Sequence, residues 1–220
     1  MKKTSPVYVI GFMIVISAIC GTAVSFVHFS MQKTLEANER LSRNRTIAKA
    51  FGISVSKQTA DGYDTAIAGA IERTSFSGDN RTWELFTRKA APHDIGFIFT
   101  GIAFWDRVSG ILVLSNDFST IRSLEIIEQK ETPGLGARIE EEGFKQQFQG
   151  YPLNWDESKQ ITFGKPDATD GSHRVDAITG ATQTSMALER IINSELAAFK
   201  TAYDSREMAD SSSATGRRFN

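Results

Sequence analysis

Two segments of this 220-residue chain carry residue types that could do chemistry. The first is Asp176-Ala177-Ile178-Thr179-Gly180-Ala181-Thr182-Gln183-Thr184-Ser185, where a strand-type run hands over to an amphipathic helix. Hydroxyls cluster there, and Gly180 lets the backbone turn tightly. The first amides of a helix have no partner within the helix, and they favour an anion, a phosphate above all. A ligand-free reading is also open: Thr184 or Ser185 caps the helix. The second segment is Glu131-Thr132-Pro133-Gly134-Leu135-Gly136. Pro133 fixes its own φ, and Gly134 and Gly136 permit positive φ or the close approach of a flat ligand. The ligand-free reading here is a surface turn.

Other chemistries are excluded. Cys20 is the sole cysteine, so no internal disulfide and no multi-cysteine zinc or iron–sulfur site is available. His28, His93 and His173 are too widely spaced for a metal motif. Neither a metal site nor a catalytic side chain is assigned. The 25 Lys plus Arg balance 26 Asp plus Glu without a basic block, which gives no reason to expect nucleic acid as a partner. Chemistry in such a chain belongs to a borrowed cofactor.

The elements that would position these segments are an α+β set. Ile95–Trp105, Val108–Leu114 and Thr120–Ile127 are apolar β-type runs separated by turn residues, which predicts a three-strand meander. Residues 138–149 predict a short amphipathic helix, with Ile139, Phe144 and Phe148 on its apolar side. Ile161–Phe163 and Arg174–Ile178 are candidate strands. Leu188, Ile191, Ile192, Leu196 and Phe199 form one stripe of a helix over Met186–Lys200. The expected fold is a mostly antiparallel sheet with packed helices. Trp105 has two readings, ring stacking on a flat ligand or core packing, and the second is preferred. Arg138 reads as a solvated helix charge and His173 as a surface residue.

The amino-terminal end differs. Pro6 to Phe29 is a run of 24 residues without Asp, Glu, Lys or Arg, enough to cross a bilayer. A single membrane helix is the leading reading. A cleaved signal peptide ending near Ala23-Val24-Ser25 is the alternative. Residues 31–51 continue as a helical stalk, and 52–94 are mixed and polar, with a short helix over Asp64–Arg73. The expected organisation is a membrane anchor over 1–30, a stalk and connecting region over 31–94, a folded domain over 95–203, and a disordered tail over 204–220. The Lys2-Lys3 start favours an inside amino terminus and a domain on the extracytoplasmic side of the cell membrane.

Taken together, Glu-Thr-Pro-Gly-Leu-Gly at 131–136 and Thr-Gly-Ala-Thr at 179–182 resemble the FMN-binding domain family. Within it, the resemblance is to the NqrC-type component of sodium-translocating NADH:quinone oxidoreductases (Nqr) and the RnfG-type component of Rnf electron-transport complexes. It implies that a flavin transferase, using FAD as donor, attaches FMN through its phosphate to Thr182. Asp176, Thr179, Gly180 and Ala181 belong to the same signal, and Glu131, Thr132, Leu135 and Gly136 are carried over as cofactor-binding. It also implies an electron-transfer subunit of an ion-translocating membrane oxidoreductase, with the other subunits and the transferase as partners and no independent catalysis. Two rival readings accompany it. One is a single-span extracytoplasmic ligand-binding or sensory module. The other is a stand-alone flavinylated reductase.

Overall fold

The computed structural model describes residues 6–78, 81–164 and 173–216, with side chains to residue 208. The chain divides into two units, Met1–Ser42 and Arg43–Asn220. Helix α1 runs from Pro6 to Ala50. Within the first unit its apolar side chains from Val7 to Phe29 are exposed. At about 1.5 Å per residue this stretch is long enough to cross a hydrocarbon core of about 30 Å.

The second unit is built on five antiparallel strands in sequential order. They are β1 (Ile71–Gly78), β2 (Arg81–Arg88), β3 (Ile95–Ile102), β4 (Arg107–Leu114) and β5 (Ile121–Glu128). The three predicted strands are β3 to β5. The meander therefore begins two strands earlier than residue 95, and the compact unit begins at Arg43. Helix α2 (Ala60–Ala70) precedes β1, and Thr59 accepts from the Gly62 amide at its start.

Side-chain alternation gives the sheet two different faces. On one, Phe97 lies parallel to Phe199 of α4 (Thr182–Gly216) with ring centroids 4.1 Å apart. Leu188, Ile191, Ile192, Leu196 and Phe199 are all buried, as the stripe predicts. Each contributes roughly 1.5–3 kcal/mol by leaving water. Gly101 is where α4 comes closest, since a Cβ there would lie 2.5 Å from Ile191 Cγ1. On the opposite face, Phe51 at the end of α1 lies against Gly96. Ile47, Ala48, Tyr63 and Ile67 are buried on the helices that cover this face. Ser123 donates to the Ala50 carbonyl at 2.6 Å.

Three expectations change. Residues 161–163 and 174–178 form no strands, only a single parallel bridge between Phe163 and Val175. The predicted helix over 138–149 is broken into a 3-10 turn at Gly136–Glu140, a single α-turn α3 (Glu142–Lys145) and a second 3-10 turn at Gln146–Phe148. It still buries Ile139, Phe144 and Phe148. Finally, α4 continues past residue 203 to Gly216, where composition predicts a disordered tail; residues 217–220 lie outside the described residues. The extension has packing to hold its first turn. Ala202 is buried where a Cβ on Gly78 would lie 2.6 Å from its own, Tyr203 meets Phe118, and the Arg206 guanidinium lies over Phe76.

Candidate functional site

Three backbone turns meet at the amino end of α4. The first follows β5. The Leu135 and Ala137 amides both donate to the Thr132 carbonyl, at 3.1 and 3.2 Å, and Gly134 sits at φ +75°. The second is the β3–β4 turn, closed by the Ala103 amide donating to the Asp106 carbonyl at 3.0 Å. The third precedes α4, where Gly180 turns at φ +81° and the Ala181 amide donates to the Ile178 carbonyl at 3.0 Å. A β-carbon on Gly180 would lie 3.2 Å from Leu135 Cδ2, so the first and third turns touch.

One buried side chain ties all three together. Glu131 Oε1 accepts from the amides of Phe104 at 3.1 Å and Trp105 at 2.9 Å. Its Oε2 accepts from Thr184 Oγ1 at 2.7 Å. Gly136 admits this junction. A Cβ there would stand 2.5 Å from Thr184 Oγ1 and 2.8 Å from Glu131 Oε2. The two glycines thus do different work: Gly134 supplies the positive φ, and Gly136 the close approach, to protein groups.

The three turns enclose a cleft of about 350 Å³. Its lining includes Glu131, Thr132, Leu135, Gly136, Gly180, Ala181 and Thr182, so most of the predicted site residues share one wall or another. Asp176 and Thr179 do not reach it. They line a separate cleft of about 230 Å³ with Arg138 and Gln147, and the Asp176 amide donates to Gln147 Oε1 at 2.6 Å. Arg138 pairs with Glu141 at 3.0 Å, as a solvated charge should.

Phe104, Gln183 and Thr184 complete the lining. Sequence reasoning did not assign them to the site. Trp105 corrects the preferred reading of it. It is 66% exposed and meets Phe104, itself 52% exposed, edge to face at 5.1 Å. Two adjacent aromatics in a tight turn cannot both face a core, and that was the available signal.

The capping reading of the 176–185 segment also changes. The Thr184 hydroxyl goes to Glu131, and Ser185 Oγ accepts from the Ile178 amide at 3.0 Å while donating to the Ala181 carbonyl at 3.1 Å. Neither caps the helix. The first helical amide with a partner among the described residues is that of Ser185, which donates to the Ala181 carbonyl at 3.0 Å. The amides of Thr182, Gln183 and Thr184 are left for a ligand or water. Thr182 itself is exposed at the cleft rim. Exposed hydroxyl, free helix-start amides and a partly apolar cleft together suit a phosphate ester carrying a flat ring.

Comparison with known proteins identifies the arrangement. Residues 103–197 match the FMN-binding domain family. This FMN-binding domain contains both motifs and all three turns. Over 88 residues the chain is 34% identical to the C subunit of the Na(+)-translocating NADH-quinone reductase of Pasteurella multocida, covering 40% of this chain and 34% of that one. The corresponding protein of Neisseria meningitidis is 33% identical over 127 residues, 56% of this chain and 47% of the relative. The chain thus spans about a third to a half the length of the curated relatives it matches. The fold is that of solved structures of the same component. The one from Parabacteroides distasonis superposes with a TM-score of 0.65 at 22% identity, covering 77% of this chain and 94% of that chain. Shewanella oneidensis NqrC gives 0.59 at 18%, covering 71% and 91%.

Proposed function

We propose that this chain is an electron-transfer subunit of a membrane oxidoreductase and carries FMN as a phosphoester of Thr182. The observation that supports it best is the convergence of the 131–136 loop and the 180–184 turn on one cleft, with an exposed Thr182 hydroxyl at its rim. The relatives named above favour a sodium-translocating NADH–quinone reductase over an Rnf-type complex.

The residues divide the work. In maturation, Thr182 Oγ1 attacks the phosphorus of the FMN half of FAD. The bond to the AMP half breaks, AMP leaves, and the hydroxyl proton is released. The attached phosphate keeps one negative charge, next to the amides of residues 182–184 and the positive end of α4. Leu135 and Phe104 offer apolar contact to the ring, and Thr132 a polar one. Asp176 and Thr179, exposed on the neighbouring cleft, are available to a flavin transferase while it acts on Thr182. The bound flavin supplies the redox chemistry. The protein fixes its place and surroundings. With α1 as a single span, the domain sits on the extracytoplasmic side, where a covalent bond prevents loss of the cofactor by dilution.

The test is flavin fluorescence of denatured protein in a gel, wild type against Thr182→Ala, each co-produced with a flavin transferase. A fluorescent wild-type band that is absent from the variant is expected. No fluorescence in either, with the transferase active on a control substrate, would remove this reading and favour a ligand-binding module.

A further inference from the structure

Glu131 is the one ionisable residue among those lining the Thr182 cleft. It is 5% exposed. Three donors converge on it, the amides of Phe104 and Trp105 and the hydroxyl of Thr184, at 3.1, 2.9 and 2.7 Å. Three donors and no acceptor are the hydrogen-bonding complement of an ionised carboxylate. Its charge nevertheless has no counter-ion among the described residues. Lys130 pairs with Asp106 at 3.2 Å and Arg138 with Glu141 at 3.0 Å.

Other carboxylates of low exposure are treated differently. Glu125 has Lys145 at 2.6 Å and Lys49 at 3.2 Å, Asp94 has Arg122 at 3.4 Å, and Glu195 has Arg81 at 3.0 Å. Burying a charge without an opposite charge is costly, and hydrogen bonds alone offset only part of it. A Gln would hold the same three turns without that cost. It would accept the two amides through Oε1 and donate from Nε2 to Thr184 Oγ1, which is free to rotate.

We infer that Glu131 is a positioning residue with a second, electrostatic task. It locks the walls of the flavin cleft, and its unpaired charge opposes electrons arriving on the ring and so lowers the flavin's reduction potential. This rests on the reading that FMN is carried at Thr182. The physical ground is that a charge on a poorly solvated cleft wall acts on a neighbouring charge far more strongly than one in water. An exposed carboxylate such as Glu128 lacks this effect, because solvent and salt screen it.

The experiment uses full-length protein in detergent, co-produced with a flavin transferase: wild type, Glu131→Gln and Glu128→Gln. Intact mass reports loading, and a spectroelectrochemical titration reports the potential. All three are expected to carry one FMN. At a fixed ambient potential, the reduced-to-oxidised ratio of Glu131→Gln should rise about tenfold over wild type, a shift of about 30 mV for a two-electron couple. The ratio for Glu128→Gln should stay at the wild-type value. Loaded Glu131→Gln that titrates with wild type would overturn the inference and leave the functional reading standing. An equal shift in Glu128→Gln would overturn it too, since burial would then be irrelevant. Glu131→Gln that fails to load where wild type loads would contradict the claim that the amide preserves the cleft. Wild type without flavin would remove the functional reading, and this inference with it.

Discussion

Thr184 donates its hydroxyl to Glu131 Oε2 at 2.7 Å, across 53 positions of sequence. This bond joins the loop after β5 to the first turn of α4, and both groups are buried. Two threonines two residues apart thus have separate roles. Thr184→Val removes a donor from a buried carboxylate and should cost about 1–3 kcal/mol, read as a lower midpoint in chemical denaturation. Thr182→Val, at an exposed position, should leave the midpoint within about 0.5 kcal/mol of wild type and abolish flavin attachment. The reverse pattern, with Thr182 structural and Thr184 silent, would contradict the assignment.

The two glycines of the loop should also separate. Gly136→Ala places a methyl 2.5 Å from Thr184 Oγ1 and 2.8 Å from Glu131 Oε2. Overpacking of this kind costs roughly 1–3 kcal/mol, and flavin loading should fall because the cleft walls move apart. Gly134→Ala meets no atom within 4 Å, and its difficulty is only the φ of +75°. Its cost should be about 1 kcal/mol, with loading retained. Denaturation midpoints and flavin-to-protein ratios for the two variants check this.

A third comparison tests the exposed aromatics. Phe97 is fully buried and stacked on Phe199, so Phe97→Ala should cost about 3–5 kcal/mol. Trp105 is exposed, and Trp105→Ala should change stability by no more than about 0.5 kcal/mol. If Trp105 edges the flavin, its loss should alter flavin fluorescence or absorbance in the loaded protein. A large loss of stability in Trp105→Ala would restore the core-packing reading.

Much of this fold was legible in the residues themselves. The runs that became β3, β4 and β5 are dense in Ile, Val, Leu and Phe, and the apolar stripe of α4 is unbroken. β1 and β2 were not legible. Only Ile71 and Phe76 are buried on β1, and Glu72, Arg73 and Thr74 between them read as a polar connection. The segments around Phe163 and Val175 were read as strands from local composition alone, yet they form one bridge pair. The candidate site divided in the same way. Glycines and hydroxyls announced the two turns, because such residues are chosen for backbone reasons. The Phe104–Trp105 turn did not announce itself, since it enters the site only through a long-range bond to Glu131.

Acid should weaken the hairpin opposite this site in a defined window. In the β4–β5 turn, Asp117 accepts from Ser115 Oγ at 2.6 Å, Ser119 Oγ at 2.8 Å and the Ser119 amide at 3.1 Å. These bonds, that of Ser115 foremost, lower its pKa from the ordinary 3.8 to about 2. A folded value below the unfolded one means the contribution is complete above the unfolded value and is lost as pH falls through the folded one. The stability difference between wild type and Asp117→Asn should therefore be largest at neutral pH and shrink towards about pH 2. A penalty equal at both ends would show that the carboxylate charge is not what holds the turn.

Whether Thr182 carries the flavin is tested most directly by peptide mass mapping. Full-length protein co-produced with a flavin transferase is digested, and the peptide containing residues 176–185 is weighed and fragmented. The expected result is a mass increase of one FMN less one water, localised to Thr182 and absent from Thr182→Ala. An unmodified peptide from protein exposed to an active transferase, or FMN localised to Thr179, Thr184 or Ser185, would contradict it.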